Sequence, residues 1–181
     1  MEILILDIET TAFLNEGGKI VEIGIVSIDL NTGQKKIIYD HVCHEKGITK
    51  QEIENAWIVK NSDLNLEQIR YSPSLDYIRP TVQKILNNYP LGCTAFNNAF
   101  DFRFMKSRGF VFPKELPCPM KLSTDICRIP KGNGFKWPNV MEAHKHFFGD
   151  VGYIEKHRGA DDAFHEADIV YQLYKLGIFK L

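Results

Sequence analysis

Three separate stretches of this chain run apolar residues into carboxylates. The N-terminal MEILILDIETT ends a hydrophobic run in Asp7 and Glu9; FNNAFDFRF carries Asp101 among phenylalanines; HRGADDAFHEAD carries His157 and Asp162 at the start of a helical pattern. A carboxylate beside apolar surface is costly unless it is paired, hydrogen-bonded or bound to a cation. No matching set of Arg or Lys at buried positions accompanies these four acids in sequence. A pair of hard divalent cations would neutralise such a cluster, and that is a device for cleaving phosphodiesters. The fold therefore has to bring three distant segments to one place.

At 181 residues the chain has the length of one domain, spanning 1–181, and can bury a full core. Its 44% hydrophobic and 25% charged residues are ordinary for a globular protein. Cys43, Cys93, Cys118 and Cys127 form no C-x-x-C pair, which fits a reduced, cytoplasmic protein rather than a disulfide scaffold. The apolar start is too short for a signal peptide or membrane span and reads as a buried strand.

The net charge of −1 gives no hint of a polyanionic partner, but its distribution does. Residues 102–158 carry 11 Lys/Arg against 5 Asp/Glu, between flanks in which acids predominate. A basic wall beside an acidic metal site suits a binder of phosphate backbones. Arg103, Lys106, Lys131, Lys136 and Arg158 are the candidate phosphate contacts.

Along the chain, Ile3–Glu9, Lys19–Ile28 and Lys36–Val42 read as strands, with a turn at Asn31-Thr32-Gly33, and predict an antiparallel meander. Thr49 and Glu52 have capping-box spacing at the head of a short helix. Leu75, Ile78, Val82, Ile85 and Leu86 have helical spacing within 73–88. Leu91–Phe96 predicts a short strand, followed by a helix capped by Asn97 or Asn98 that carries Asp101. Three prolines make 113–119 a loop, and Lys131-Gly132-Asn133-Gly134 a flexible one. Pro138 opens a helix to Phe148, with neighbouring Trp137 in the core, and the last helix runs from Ala160 to Leu176. Strands first and then alternation with helices predict an α/β fold with a mixed sheet.

Asp7 and Glu9 are two apart on one strand and project to the same face. Asp101 lies near a helix start, where its charge meets the positive end of the helix dipole. Asp161 and Asp162 are about 100° apart on a helix, so only one faces inward. Asp162 aligns with Glu166, Ile169 and Leu173 at the border of the apolar stripe, so it is the candidate ligand and Asp161 is solvated. His157 precedes that helix and, largely neutral at pH 7, can accept a proton. His144 and His146 with Cys118 and Cys127 lack structural-zinc spacing.

DIETT at 7–11, VEIGIV at 21–26, NNAFD at 97–101 and the His157-x4-Asp162 spacing resemble the DEDDh branch of the DnaQ-like 3′→5′ exonucleases, in the ribonuclease H-like superfamily. The resemblance extends through the Gly47-Ile48-Thr49 segment, Asp125 and KWPNVMEAHKHFFG, nearly the whole chain. Ala12 and Phe96 depart from the residues frequent there, Gly and His. The resemblance implies a three-layer fold with a five-stranded mixed sheet flanked by helices. It implies an exonuclease using two Mg²⁺ or Mn²⁺ ions, with Asp7, Glu9, Asp101 and Asp162 as metal ligands and His157 as general base. Thr10, Thr11, Phe13 and Asn97 would hold the terminal nucleotide, Phe13 as a wedge against the last base. The expected partners are nucleic-acid 3′ ends, with single-stranded DNA favoured, and no membrane. A proofreading role would need a DNA polymerase or repair complex in trans. An exoribonuclease and a noncatalytic nucleic-acid binder are the alternative readings.

Overall fold

Strand β1 (Glu2–Thr10) is the spine of the molecule in the computed structural model, which describes residues 1–181. It pairs antiparallel with β2 (Ile20–Asp29) on one side and parallel with β4 (Cys93–Thr94) on the other. Strand β3 (Lys35–Val42) adds antiparallel to β2, so the sheet order is β3-β2-β1-β4. The meander expected from the first three apolar runs is present, closed by a turn in which the Thr32 and Gly33 amides donate to the Asp29 carbonyl.

Alternation along β1 divides the core. Leu4, Leu6 and Ile8 pack with α4 (Leu75–Asn87) and α5 (Asn98–Ser107). Ile3 and Ile5 point the other way, into a cluster with α6 (Pro119–Cys127), α7 (Val140–Phe148) and α8 (Gly159–Lys175). The period of two that buries Ile3 and Ile5 also aims Asp7 and Glu9 toward α8. Three short helices, α1 (Lys50–Asn55), α2 (Trp57–Asn61) and α3 (Leu66–Tyr71), form a smaller cluster with Val21 of β2.

The main sheet has four strands where five were expected. Residues 114–116 run along the free edge of β4, and the pairing is a single bridge between Cys93 and Glu115. The Cys93 amide donates to Lys114 at 3.0 Å and the Leu116 amide to Cys93 at 2.9 Å. Pro113 and Pro117 bracket this bridge and have no N–H to give, so the ladder stops there.

The helix signals are largely realised. Thr49 accepts from the Glu52 amide at 3.2 Å, and Glu52 accepts from the Thr49 amide at 2.7 Å. Asn97 is the N-cap of α5 but its side chain makes no capping bond, while the Asn98 side-chain amide donates to the Leu116 carbonyl. Helix α6 begins on Pro119 at its first turn, a position that tolerates proline, inside a stretch that reads as loop by composition. The segment expected as a flexible loop is a small hairpin, β5 (Pro130–Lys131) with β6 (Gly134–Phe135). Pro138 sits just ahead of the α7 N-cap, Asn139, and takes the buried place, leaving Trp137 60% exposed rather than in the core. All four cysteines are free thiols. No helix is long and apolar enough to cross a membrane.

Candidate active site

A close approach of two backbones builds the site. Gly24 of β2 stands opposite Asp7 in the sheet register. A Cβ there would lie 2.0 Å from the Gly159 carbonyl carbon, so only glycine lets the first turn of α8 press against the sheet. Arg158 fastens the same junction. Its Nε and Nη2 bind Glu22, wholly buried on β2, at 2.7–3.1 Å, and its Nη1 binds Asp63 at 2.7 Å. Arg158 is therefore engaged within the protein, not free for phosphate.

With α8 seated, Asp162 reaches the end of β1. One donor atom each from Glu9, His157 and Asp162 lie within 4.8 Å of one another. Asp162 is buried and accepts from the Arg158 amide at 3.0 Å, the Lys156 amide at 3.3 Å and the Tyr153 hydroxyl at 3.3 Å. Asp161 turns outward to Lys156 at 2.8 Å. Asp101 enters from α5, where its Oδ1 accepts from the Ile8 amide at 3.3 Å. Asp7 lies on the floor, densely surrounded by protein yet partly open to the cleft.

A fifth carboxylate completes the group. Glu166, one turn beyond Asp162, is buried and accepts from the Phe96 amide at 3.2 Å. Its alignment with Asp162 was visible in the helical spacing, but a single Glu carries no motif.

No ion pair in the protein involves Asp7, Glu9, Asp101, Asp162 or Glu166. The electrostatic consequence is large. Burial, then repulsion from Glu9, Glu166, Asp101 and Asp162, holds the Asp7 carboxyl well above the usual range. Burial and then Asp162 and Glu22 push Glu9 up to about 9. Burial pushes Asp101 up to about 7 against the opposing pull of the Ile8 amide. Asp162 and Glu166 are raised too, chiefly by burial. An all-oxygen donor set lacking positive charge fits hard divalent cations and does not fit the soft ions that thiolates select.

His157 stands at the mouth in a left-handed conformation, φ 55°. Its ring meets the Trp57 ring edge-on at 4.7 Å between centroids, and its Nδ1 lies 4.0 Å from Glu155. Beside Glu9 opens a pocket of about 590 Å³ whose walls include Thr10, Thr11, Phe13, Trp57 and Phe100. Phe13 is 63% exposed and Trp57 58% exposed, so both present open rings to it. The Thr10 hydroxyl donates to the Ala12 carbonyl, and Thr11 accepts from the Lys19 amide, which stiffens the turn after β1. Asn97 is exposed at the head of α5, one turn before Asp101, and is not part of this pocket wall. Trp57 was invisible in sequence because its helix has only five residues and no motif.

No protein-family profile and no curated protein sequence matches the chain. Solved structures do. Cell-death related nuclease 4 (CRN-4) superposes with a TM-score of 0.66 at 19% identity, over 97% of this chain and 64% of its own. The nuclease domain of 3′hExo, a DEDDh family member bound to rAMP, gives 0.66 at 13% identity, over 99% of this chain and 94% of its own. The chain therefore shares the fold of these nucleases. E. coli exonuclease I in complex with a dA16 oligonucleotide gives 0.62 at 12% identity, over 96% of this chain and 41% of its own. The chain thus spans less than two thirds of CRN-4 and under half of exonuclease I. These structural neighbours are nucleases, mostly 3′-exonucleases.

Proposed function

We propose that the protein is a metal-dependent 3′→5′ exonuclease that releases nucleoside 5′-monophosphates from nucleic-acid ends. Single-stranded DNA is its first expected substrate. The observation that carries this reading is the convergence of carboxylates from β1, α5 and α8 on one cleft with no Lys or Arg to balance them. A protein that merely bound a polyanion would gain nothing from such a cluster, which repels phosphate until cations offset it.

Asp7, Glu9, Asp162 and Asp101 would hold two divalent ions, Mg²⁺ or Mn²⁺. Held there, such ions supply a lowered pKa to a water and positive charge beside the scissile phosphate. A zinc-bound form of the exonuclease I–single-stranded DNA complex is among the similar structures, which supports divalent-metal chemistry for the fold. His157, at the cleft mouth and close to Glu9 and Asp162, accepts the proton of the attacking water. Glu155 lies 4.0 Å from its Nδ1. Phe13 and Trp57 present open faces to the terminal base, and Asn97 approaches from the α5 side. Glu166 is a positioning residue: it holds the Phe96 amide at the turn that delivers α5.

The test is a ladder assay with 5′-labelled single-stranded DNA and RNA in Mg²⁺, in Mn²⁺ and in EDTA. Stepwise shortening from the 3′ end with either metal and none in EDTA is expected. Metal-independent cleavage, or no cleavage of either polymer, would end the reading. The similar structures hold both a deoxyribonucleotide oligomer and rAMP, so the exoribonuclease alternative is decided by the same gel.

A further inference from the structure

We propose a second nucleic-acid contact away from the cleft: an aromatic and cationic platform formed by the C-terminus of α6, the β5–β6 hairpin and Trp137, which binds the body of a single strand. The identity of that strand as the substrate rests on the exonuclease reading; the platform itself does not.

Four observations meet there. Phe135 and Trp137 are 44% and 60% exposed. They stand two residues apart where the Lys136 amide, donating to the Ile129 carbonyl at 2.9 Å, carries the hairpin pairing one step beyond β6, and in extended backbone that spacing places two side chains on one side. Each has a cation near its face: the Arg128 guanidinium 5.7 Å from the Phe135 centroid and the Lys121 ammonium 6.0 Å from that of Trp137. Lys121, Arg128 and Lys131 form no ion pair, whereas Lys106 and Lys136, which read as phosphate contacts in the sequence, are occupied by Glu115 and Glu142.

Arg128 adds a local oddity. It ends α6 in the left-handed region, φ 48°, where helices commonly place glycine. Its Nε donates to the Asp125 carbonyl at 3.2 Å, and its two terminal nitrogens make no hydrogen bond to the protein. The guanidinium is thus aimed and held with its donors open, at a conformation a glycine would adopt with less strain.

The charge balance selects the occupant. From Pro119 to Trp137 the chain carries four Lys/Arg and one Asp. The cleft and its rim are acidic: Glu9 and Glu16 line the aromatic pocket, and Glu155 lies beside His157. A strand whose end enters that rim needs positive charge elsewhere. Rings beside unpaired cations bind the exposed bases and phosphates of a single strand, and do so with little sequence preference. A duplex hides its base faces and gives the rings nothing to stack on.

The test is fluorescence anisotropy of a labelled 20-residue oligo-dT in EDTA, where binding requires neither metal nor turnover. The wild-type chain should bind, and Phe135→Ala/Trp137→Ala should weaken binding by about tenfold or more. Arg128→Gly/Lys131→Ala keeps the left-handed turn; it should lower the slope of log Kd against log salt by about 1.4, near 0.7 for each phosphate that is no longer neutralised. Thermal melting checks that each variant is folded, and the second pair decides the matter if the first does not fold. Absent wild-type binding, or unchanged affinity and slope in the folded variants, overturns the platform. An inactive protein that binds in this way removes the exonuclease reading and leaves the platform; an active one with unaffected binding does the reverse.

Discussion

Asp7 shows how much one side chain concentrates here. It is flanked by Glu9, Glu166, Asp101 and Asp162, and each raises its proton affinity further. Asp7→Asn removes one charge from a crowded pocket. We expect it to abolish hydrolysis in the ladder assay while the metal-free protein melts at or above the wild-type temperature; retained turnover would exclude Asp7 from the chemistry. His157→Ala should slow single-turnover cleavage by about 10²–10⁴-fold, the range for a general base, and a rate within twofold of wild type would exclude that role. Trp57→Ala should raise KM about tenfold, because one base would lose a stacking surface; an unchanged KM in steady-state kinetics would contradict it. The helical period alone separates Asp162 from Asp161, and Asp162 is the buried one of the two, while Asp161, expected solvated, is half-buried and meets Lys156; the ligand role of Asp162 is part of the proposal. Glu166 was legible only as a neighbour of Asp162 on its helix face, and the roles of Glu166 and Trp57 and the exposure of Trp137 were not. Each depends on what another segment places beside it, which no local pattern encodes.

At the scale of elements, the docking of α8 on the sheet decides whether a site exists at all. Gly24→Ala would drive a methyl into the Gly159 backbone, which has no flexible end to yield. Overpacking of this kind costs about 1–3 kcal/mol, or a fall in Tm of roughly 2–4 °C for each kcal/mol in a chain of this size. Activity should fall further than stability does, since Asp162 and Glu166 ride on the displaced helix. A Gly24→Ala protein with wild-type activity would contradict this account of the junction. The meander, the capping boxes and the long helices were written in period and caps, which are local properties. The missing fifth strand and helix α6 were not: prolines between residues 113 and 119 truncated one and disguised the other. Gly24 and Gly159 are far apart in sequence, and their packing announces itself only when the backbones meet.

For the whole molecule the acid cluster is a standing liability that a bound divalent metal, as proposed, would relieve. Glu9 rises from 4.5 to about 9 on folding, so the metal-free native state holds a proton that the unfolded chain releases above its own pKa. Between those two values the native state binds more protons than the unfolded one, and stability must fall as pH rises. Melting in EDTA should therefore show a Tm that declines from pH 5 to pH 9. A divalent ion binding only the native state at a hundred times its Kd adds about 2.7 kcal/mol, or roughly 5–10 °C. The most direct test is thermal unfolding at pH 8 with and without Mn²⁺, for the wild type and Asp7→Asn. A metal-holding acid cluster predicts a rise of that size in the wild type and its loss in the variant. An equal shift in both proteins, or none in either, would contradict it.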